Sequence, residues 1–165
     1  MLKEIFTGNN LALLGAFLAV SLSGWGSAKG IGIVAQSASG LLSENPGMFG
    51  KALVLEALPA TQGIYGLITA FLIIFKLEIL GGTPVQATVT EGVYLLVASL
   101  PIALVGLISA QHQGKVAAAG ISLIAKREEE TGKAIVNAVL VETYAIFAVL
   151  VSLLLVSSIT LSAAA

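Results

Sequence analysis

Apolar residues run along this chain in four long blocks, roughly 9–42, 52–76, 91–125 and 134–161, and the stretches between them are short. Each block is long enough to cross a hydrocarbon core, which needs about 20 helical residues. The breaks carry helix-stopping chemistry. "SENPG" holds Pro46 and Gly47, "KLEILGGTP" holds Gly81, Gly82 and Pro84, and "KREEET" is a charged turn. The pattern predicts an all-α membrane protein with four transmembrane helices. Almost nothing is left over for a soluble domain.

The chain is also written twice. Shifted by 82 residues it superposes on itself without a gap: Gly24 falls on Gly106, Ser27 on Ser109, Gly32 on Gly114, Gly50-Lys51-Ala52 on Gly132-Lys133-Ala134, and Thr61 on Thr143. Two tandem helical hairpins follow, residues 1–82 and 83–165, the second carrying the one carboxylate deep in a span. In the first helix of each hairpin small residues recur at intervals of three or four. Ala16, Val20, Gly24, Ala28, Gly32 and Ala35 map onto Ala98, Ile102, Gly106, Ala110, Gly114 and Ala117. Such a stripe lets backbones approach closely, a main source of helix association in lipid. It fits either the internal packing of a four-helix monomer or, the sharper reading, a narrow inner wall of something larger.

Composition agrees with the pattern. The chain is 57% hydrophobic and 10% charged, with a mean hydropathy of +1.00, outside the range of ordinary soluble domains. The net charge of −1 makes no case for nucleic acid, and no GxxxxGK[ST] cradle for a nucleotide is present, so direct ATP binding is not expected. The absence of cysteine excludes disulfides and thiolate metal sites. The opening "MLKEIFTGNNLALLGAF" has the outline of a signal peptide, but its apolar run continues in helical register and recurs later, so it reads as part of the fold. Lys51, Lys126, Arg127 and Lys133 sit in the turns after spans one and three, against Lys3 and Lys76 at the other end. The positive-inside rule puts the turns near 43–51 and 126–133 in the cytoplasm and both termini on the opposite side.

Against this background Glu142 stands out. It lies nine residues beyond Lys133, about 13 Å along a helix. A lone carboxylate at membrane depth is a functional-site hypothesis, because burying an unpaired charge in lipid is expensive. A similar climb from Lys51 reaches Thr61, Gln62 and Tyr65, which bring a hydroxyl, an amide and a phenol onto adjoining parts of one face. Gln113 on the third span is at a matching height. Pro59 lacks an amide hydrogen, leaves the Leu55 carbonyl without its helical partner and loosens the turn that presents Leu58, Thr61 and Gln62. The repeat puts Glu142 on Ala60 and Tyr144 on Gln62, so one four-helix chain owns one ionisable site. Glu56, Lys76 and Glu91 read as interfacial residues. Lys29 and Lys115 read as snorkelling or facing a partner. His112 adjoins Gln113 but is turned from its face by one helical step.

"PATQGIYG", "QGKVAAAG" and "VETYAIF", in this order inside a hairpin repeat, closely resemble the four-helix proteolipid, or K (c-type) subunit, of V-type ATPases, particularly the bacterial sodium-translocating type. The resemblance covers nearly the whole chain. It implies a closed rotor ring of identical copies in lipid, turned by a central-stalk subunit against a stator membrane subunit with an essential arginine, with ATP hydrolysis in partner subunits. It makes Glu142 the ion carrier, assigns Na+ ligation to the Leu58 carbonyl and the side chains of Thr61, Gln62, Gln113 and Glu142, and gives Tyr65 a hydrogen bond to the glutamate. Ala60 departs from the family pattern, where glycine is familiar, and removes no ligand.

The donor set bears on the ion. Sodium needs several hard oxygens to replace its hydration shell, whereas a proton needs only one acceptor beside the carboxylate. The surplus of oxygens favours Na+, with H+ alone as the alternative. Two further readings are a small secondary transporter with a central substrate site between parallel repeats, and a structural or pore-forming proteolipid indifferent to Glu142.

Overall fold

In the computed structural model residues 6–162 are described; Lys3, counted above in the charge balance, lies outside them. The helices are α1 (Gly8–Glu44), α2 (Phe49–Ala57), α3 (Thr61–Lys76), α4 (Val89–Lys126) and α5 (Thr131–Ser158), with 3-10 turns at Pro46–Met48, Leu58–Ala60, Ile79–Gly81 and Glu128–Glu130. There is no strand among the described residues. The second span joins α2 and α3 through the turn at Leu58–Ala60. Four rods result, Gly8–Glu44, Pro46–Lys76, Val89–Lys126 and Glu128–Ser158, each long and apolar enough to cross a membrane.

The expected spans and these rods differ by three residues or more at three ends, one of them the start of the fourth rod at Glu128, not near 134. Span two starts at Pro46, not near 52, because a proline that stops one helix suits the first turn of the next, where its missing N–H has no partner to lose. The fourth helix ends at Ser158. At that end the Lys76 ammonium donates to the carbonyls of Ser157 and Ile159, and beyond it Glu91 accepts from the Ser162 backbone N–H at 2.7 Å. Glu91 also closes a capping box with Thr88 at the start of α4. Asn9 ties the linker to α1, donating to the Val85 carbonyl at 2.9 Å and accepting from the Ala87 N–H at 2.8 Å. At the other end Lys51 pairs with Glu128 at 2.6 Å.

Small residues are inside and large ones outside, as lipid demands. Without a hydrophobic drive between helices, close backbone contact supplies the association. The central contact is α1 against α4. A Cβ built on Gly15 would lie 2.8 Å from the Leu96 Cα, one on Gly26 2.7 Å from the Leu107 Cα, and one on Gly114 2.6 Å from the Gly30 Cα. These positions admit only glycine at this separation. Phe17, Phe71, Phe75, Phe147 and Leu154 point outward. Apolar clusters occupy both ends: Val34, Leu55, Ile121 and Ile124 near the short turns, and Ile73, Leu77, Leu95 and Val156 near the linker.

The two small-residue stripes, equal in sequence, are unequal in space. Ala98, Ile102, Gly106, Ala110, Gly114 and Ala117 are all buried against α1. Of their counterparts only Ala16 is buried; Ala28 is exposed, and Gly24 and Gly32 have no neighbour within 4 Å of a built Cβ. The buried face of α1 is a different one, carrying Ala12, Gly15, Ala19, Ser23, Gly26, Gly30 and Val34. Internal packing therefore accounts for the second stripe and leaves the first open.

Candidate ion-binding site

The site is built around the interruption at Pro59. Leu58–Ala60 form a 3-10 turn, and the Leu58 carbonyl accepts from the Thr61 backbone N–H. The Thr61 hydroxyl lies 3.1 Å from that carbonyl and 3.3 Å from Gln62 Oε1, so its single proton serves one of the two at a time. The turn thus tightens, where the proline alone led us to expect it to loosen, and the Leu58 oxygen is held in place instead of hanging free. Gly63 N–H, displaced from a regular helical acceptor, donates to Ser27 Oγ on α1 at 2.8 Å. That bond pins the irregular turn to the inner helix.

From there a hydrogen-bonded chain crosses three spans. Gln62 Nε2 donates to Gln113 Oε1 at 2.7 Å, and Gln113 Nε2 donates to Glu142 Oε2 at 3.3 Å. The Tyr65 hydroxyl donates to Glu142 Oε1 at 2.7 Å. Gln62 and Gln113 are fully buried and Glu142 is 7% exposed. No Lys or Arg pairs with Glu142 among the described residues. A buried carboxylate met only by neutral donors keeps an uncompensated charge unless a proton or a cation joins it.

Leu58, Pro59, Thr61, Gln62, Tyr65, Gln113 and Glu142, the candidates chosen by depth and polarity or by resemblance, form one neighbourhood. His112, Lys29 and Lys115 are exposed and Glu56 is half-buried, and none of them enters the hydrogen-bonded chain. Ser27 is only a repeat marker in the sequence, although in the structure it holds the turn. Ser152 makes a comparable contact beside Pro101, which lies inside the continuous helix α4: Ile102 N–H donates to Ser152 Oγ at 3.2 Å. A serine facing a proline-bearing turn is the signal that would have found both, but it needs the helix pairing to be known.

The donors are all oxygens: a backbone carbonyl, a hydroxyl, two amides and a carboxylate. Among the described residues no three His, Cys, Asp or Glu side chains gather to hold a metal ion. One carboxylate among neutral oxygens supplies one negative charge, a set chemically suited to a hard monovalent cation or a proton.

Comparison with known proteins gives the same register. The family of the C subunit of ATP synthase matches twice, at residues 14–73 and 96–155, offset by the 82 residues of the internal repeat. The chain is 45% identical over 159 residues to V-type sodium ATPase subunit K of Enterococcus hirae, covering 94% of this chain and 98% of that one. It is 41% identical over 145 residues to A-type ATP synthase subunit K of Methanocaldococcus jannaschii, covering 88% of this chain and 61% of that one. With the family unit present twice on four membrane-length helices, the chain belongs to the ATP synthase C-subunit family, as an integral, multi-pass membrane protein.

Proposed function

We propose that this chain is the rotor-ring subunit of a V-type ATPase, and that Glu142 carries one Na+ across the membrane as the ring turns. The observation that carries the reading is the buried, unpaired Glu142 carboxylate at the end of the Gln62–Gln113 amide chain, with Tyr65 on its other oxygen. The Leu58 carbonyl, Thr61 hydroxyl, Gln62 and Gln113 amide oxygens and Glu142 would surround the cation, while Tyr65 holds the carboxylate from outside. Monovalent charge matches the single carboxylate, and the name of the Enterococcus hirae relative includes sodium.

In this mechanism the loaded site is electrically neutral and passes lipid. At the stator a fixed arginine competes for Glu142 and frees the ion into an aqueous half-channel; a new ion loads from the other. This chain performs no covalent chemistry. ATP is hydrolysed in partner subunits that drive the ring through a central stalk, with the turns at 43–51 and 126–133 on the cytoplasmic side.

Carbodiimide labelling tests the ion. At fixed pH, rising sodium should protect Glu142, because a coordinated carboxylate cannot be protonated and activated. Protection by raising pH alone, with no sodium effect, would replace Na+ by H+ as the cargo.

Tyr65→Phe is expected to weaken sodium protection about 10- to 100-fold while leaving assembly intact. A hydrogen bond to a charged group contributes about 1.5–3 kcal/mol, and here it preorganises the carboxylate. Half-protecting sodium concentrations in the two proteins provide the comparison, and equal values would remove Tyr65 from the site.

A further inference from the structure

We infer that Ser27 of α1 is a positioning residue for the cation site and, resting on the sodium reading above, that its hydrogen bond from the Gly63 N–H sets how sharply the site tells sodium from a cation of another size. α1 supplies none of the oxygens assigned to the ion. The broken stretch that carries Leu58, Thr61 and Gln62 is nevertheless seated on it.

The seat is a short run of close approaches. A Cβ built on Gly30 would lie 2.7 Å from the Pro59 Cβ, and one on Gly63 3.2 Å from Ser27 Oγ and 3.5 Å from the Gly24 Cα. One on Gly66 would overlap the Ser23 hydroxyl and the Ala19 carbonyl. Glycines at these places let span two lie against α1 on both sides of the break. Such packing fixes the distance between the two rods but leaves the turn free to rotate. The polar tie at this height is the Gly63 N–H to Ser27 Oγ, at 2.8 Å. It is available because α3 begins at Thr61, and the first N–H groups of a helix have no acceptor within it. Ser27 therefore caps α3 from a neighbouring rod.

What the tie holds is the spacing of oxygens. The Thr61 hydroxyl lies 3.1 Å from the Leu58 carbonyl and 3.3 Å from Gln62 Oε1. Two oxygens at right angles about a calcium-sized ion, with bonds of about 2.3–2.6 Å, stand roughly 3.3–3.7 Å apart; about a magnesium-sized ion, at about 2.0–2.1 Å, they stand roughly 2.9 Å apart. Sodium is close to the first in radius and lithium to the second. The observed spacings fall between the two sets, so a rotation of the turn by a few tenths of an ångström decides which ion fits. Selection among hard cations rests on cavity size, ligand number and flexibility, and Ser27 limits the last of these.

The repeat contains its own comparison. Ser109, Val141, Ala145 and Ala148 occupy the places of Ser27, Pro59, Gly63 and Gly66. There α5 runs unbroken from Thr131 to Ser158, so the Ala145 N–H keeps its helical acceptor and needs none from Ser109. The same serine has a positioning task only in the half of the chain where a proline releases a donor.

Ser27→Ala in the assembled complex tests this, because it removes the acceptor and little volume. Carbodiimide labelling of Glu142 is titrated with sodium and, separately, with lithium. In the wild type sodium should protect at the lower concentration. In Ser27→Ala sodium protection should weaken about tenfold, the usual effect of leaving a buried N–H unpaired, and the lithium-to-sodium ratio should move toward one. Ser27→Thr, which restores the acceptor, should recover most of the loss, and Ser109→Ala should match the wild type. Should Ser27→Ala not assemble, Gly63→Ala carries the test: it keeps donor and acceptor but sets a methyl 3.2 Å from Ser27 Oγ, and a smaller change in the same direction is expected. Wild-type values for both ions would overturn the role of Ser27 and leave the sodium reading standing. So would an equal loss from Ser109→Ala, or a loss that Ser27→Thr leaves uncorrected. Parallel weakening of both ions with the ratio kept would also overturn it, since a merely structural serine affects them alike. A wild-type complex that sodium fails to protect would overturn the ion reading and the part of Ser27 together.

Discussion

Glu142→Gln is expected to reduce sodium transport to background while the ring still assembles. The amide has the volume of the carboxylate and its oxygen can still accept from the Tyr65 hydroxyl; the hydrogen bond from Gln113 Nε2 is lost unless the Gln113 amide turns over, but the size that packs α5 against α4 is retained. What disappears is the one negative charge in the site. Removing one member of a buried charge pair costs about 3–5 kcal/mol, which lowers cation occupancy by at least about 100-fold. Uptake of radioactive sodium by vesicles bearing the whole complex, with native mass measured in parallel, reads both halves of the prediction. Unchanged uptake would favour a structural or pore-forming proteolipid. A Glu142→Asp variant sharpens the result: it keeps the charge but withdraws it by one methylene from the Tyr65 hydroxyl, so partial transport with weakened sodium dependence is expected.

The same residue shows how far the sequence reached. Counting along apolar blocks put Glu142, Gln62 and Gln113 at one height because rise per residue is nearly constant in any membrane helix, and the structure brings all three within hydrogen-bond reach. The 82-residue register was legible because no gap has disturbed it, and both family matches keep it. Two features were out of reach. Pro59 announced an irregular turn, but its form depends on Thr61 and Ser27, which capture the Leu58 carbonyl and the Gly63 N–H from different helices. The small-residue stripes were the other. Helical spacing marks a face, and only the pairing of α1 with α4 decides which of two equal faces is covered. Ile102 and Val20 occupy matching places, yet the first is fully buried and the second half-buried.

That inequality leads to a prediction about stability which no reading of the repeat alone would make. Gly114→Leu should unfold the chain's core contact. A Cβ at Gly114 would lie 2.6 Å from the Gly30 Cα, and this neighbour is backbone that cannot swing aside. α1 and α4 must separate along their crossing, which also withdraws Gln113, one residue before, from Gln62 and Glu142. Overpacking of a tight core costs about 1–3 kcal/mol and occasionally more, and a backbone clash in the longest contact belongs at the upper end, about 3 kcal/mol. Gly32→Leu is the same change at the equivalent position in the first repeat, where nothing lies within 4 Å. For monomers in detergent the second variant should therefore unfold at the wild-type denaturant concentration and the first well below it, with helicity followed by circular dichroism. Equal losses from both would mean that the hairpins pack in a more symmetric way than the α1–α4 contact described above, and coincident wild-type curves would show that this crossing contributes little to the fold.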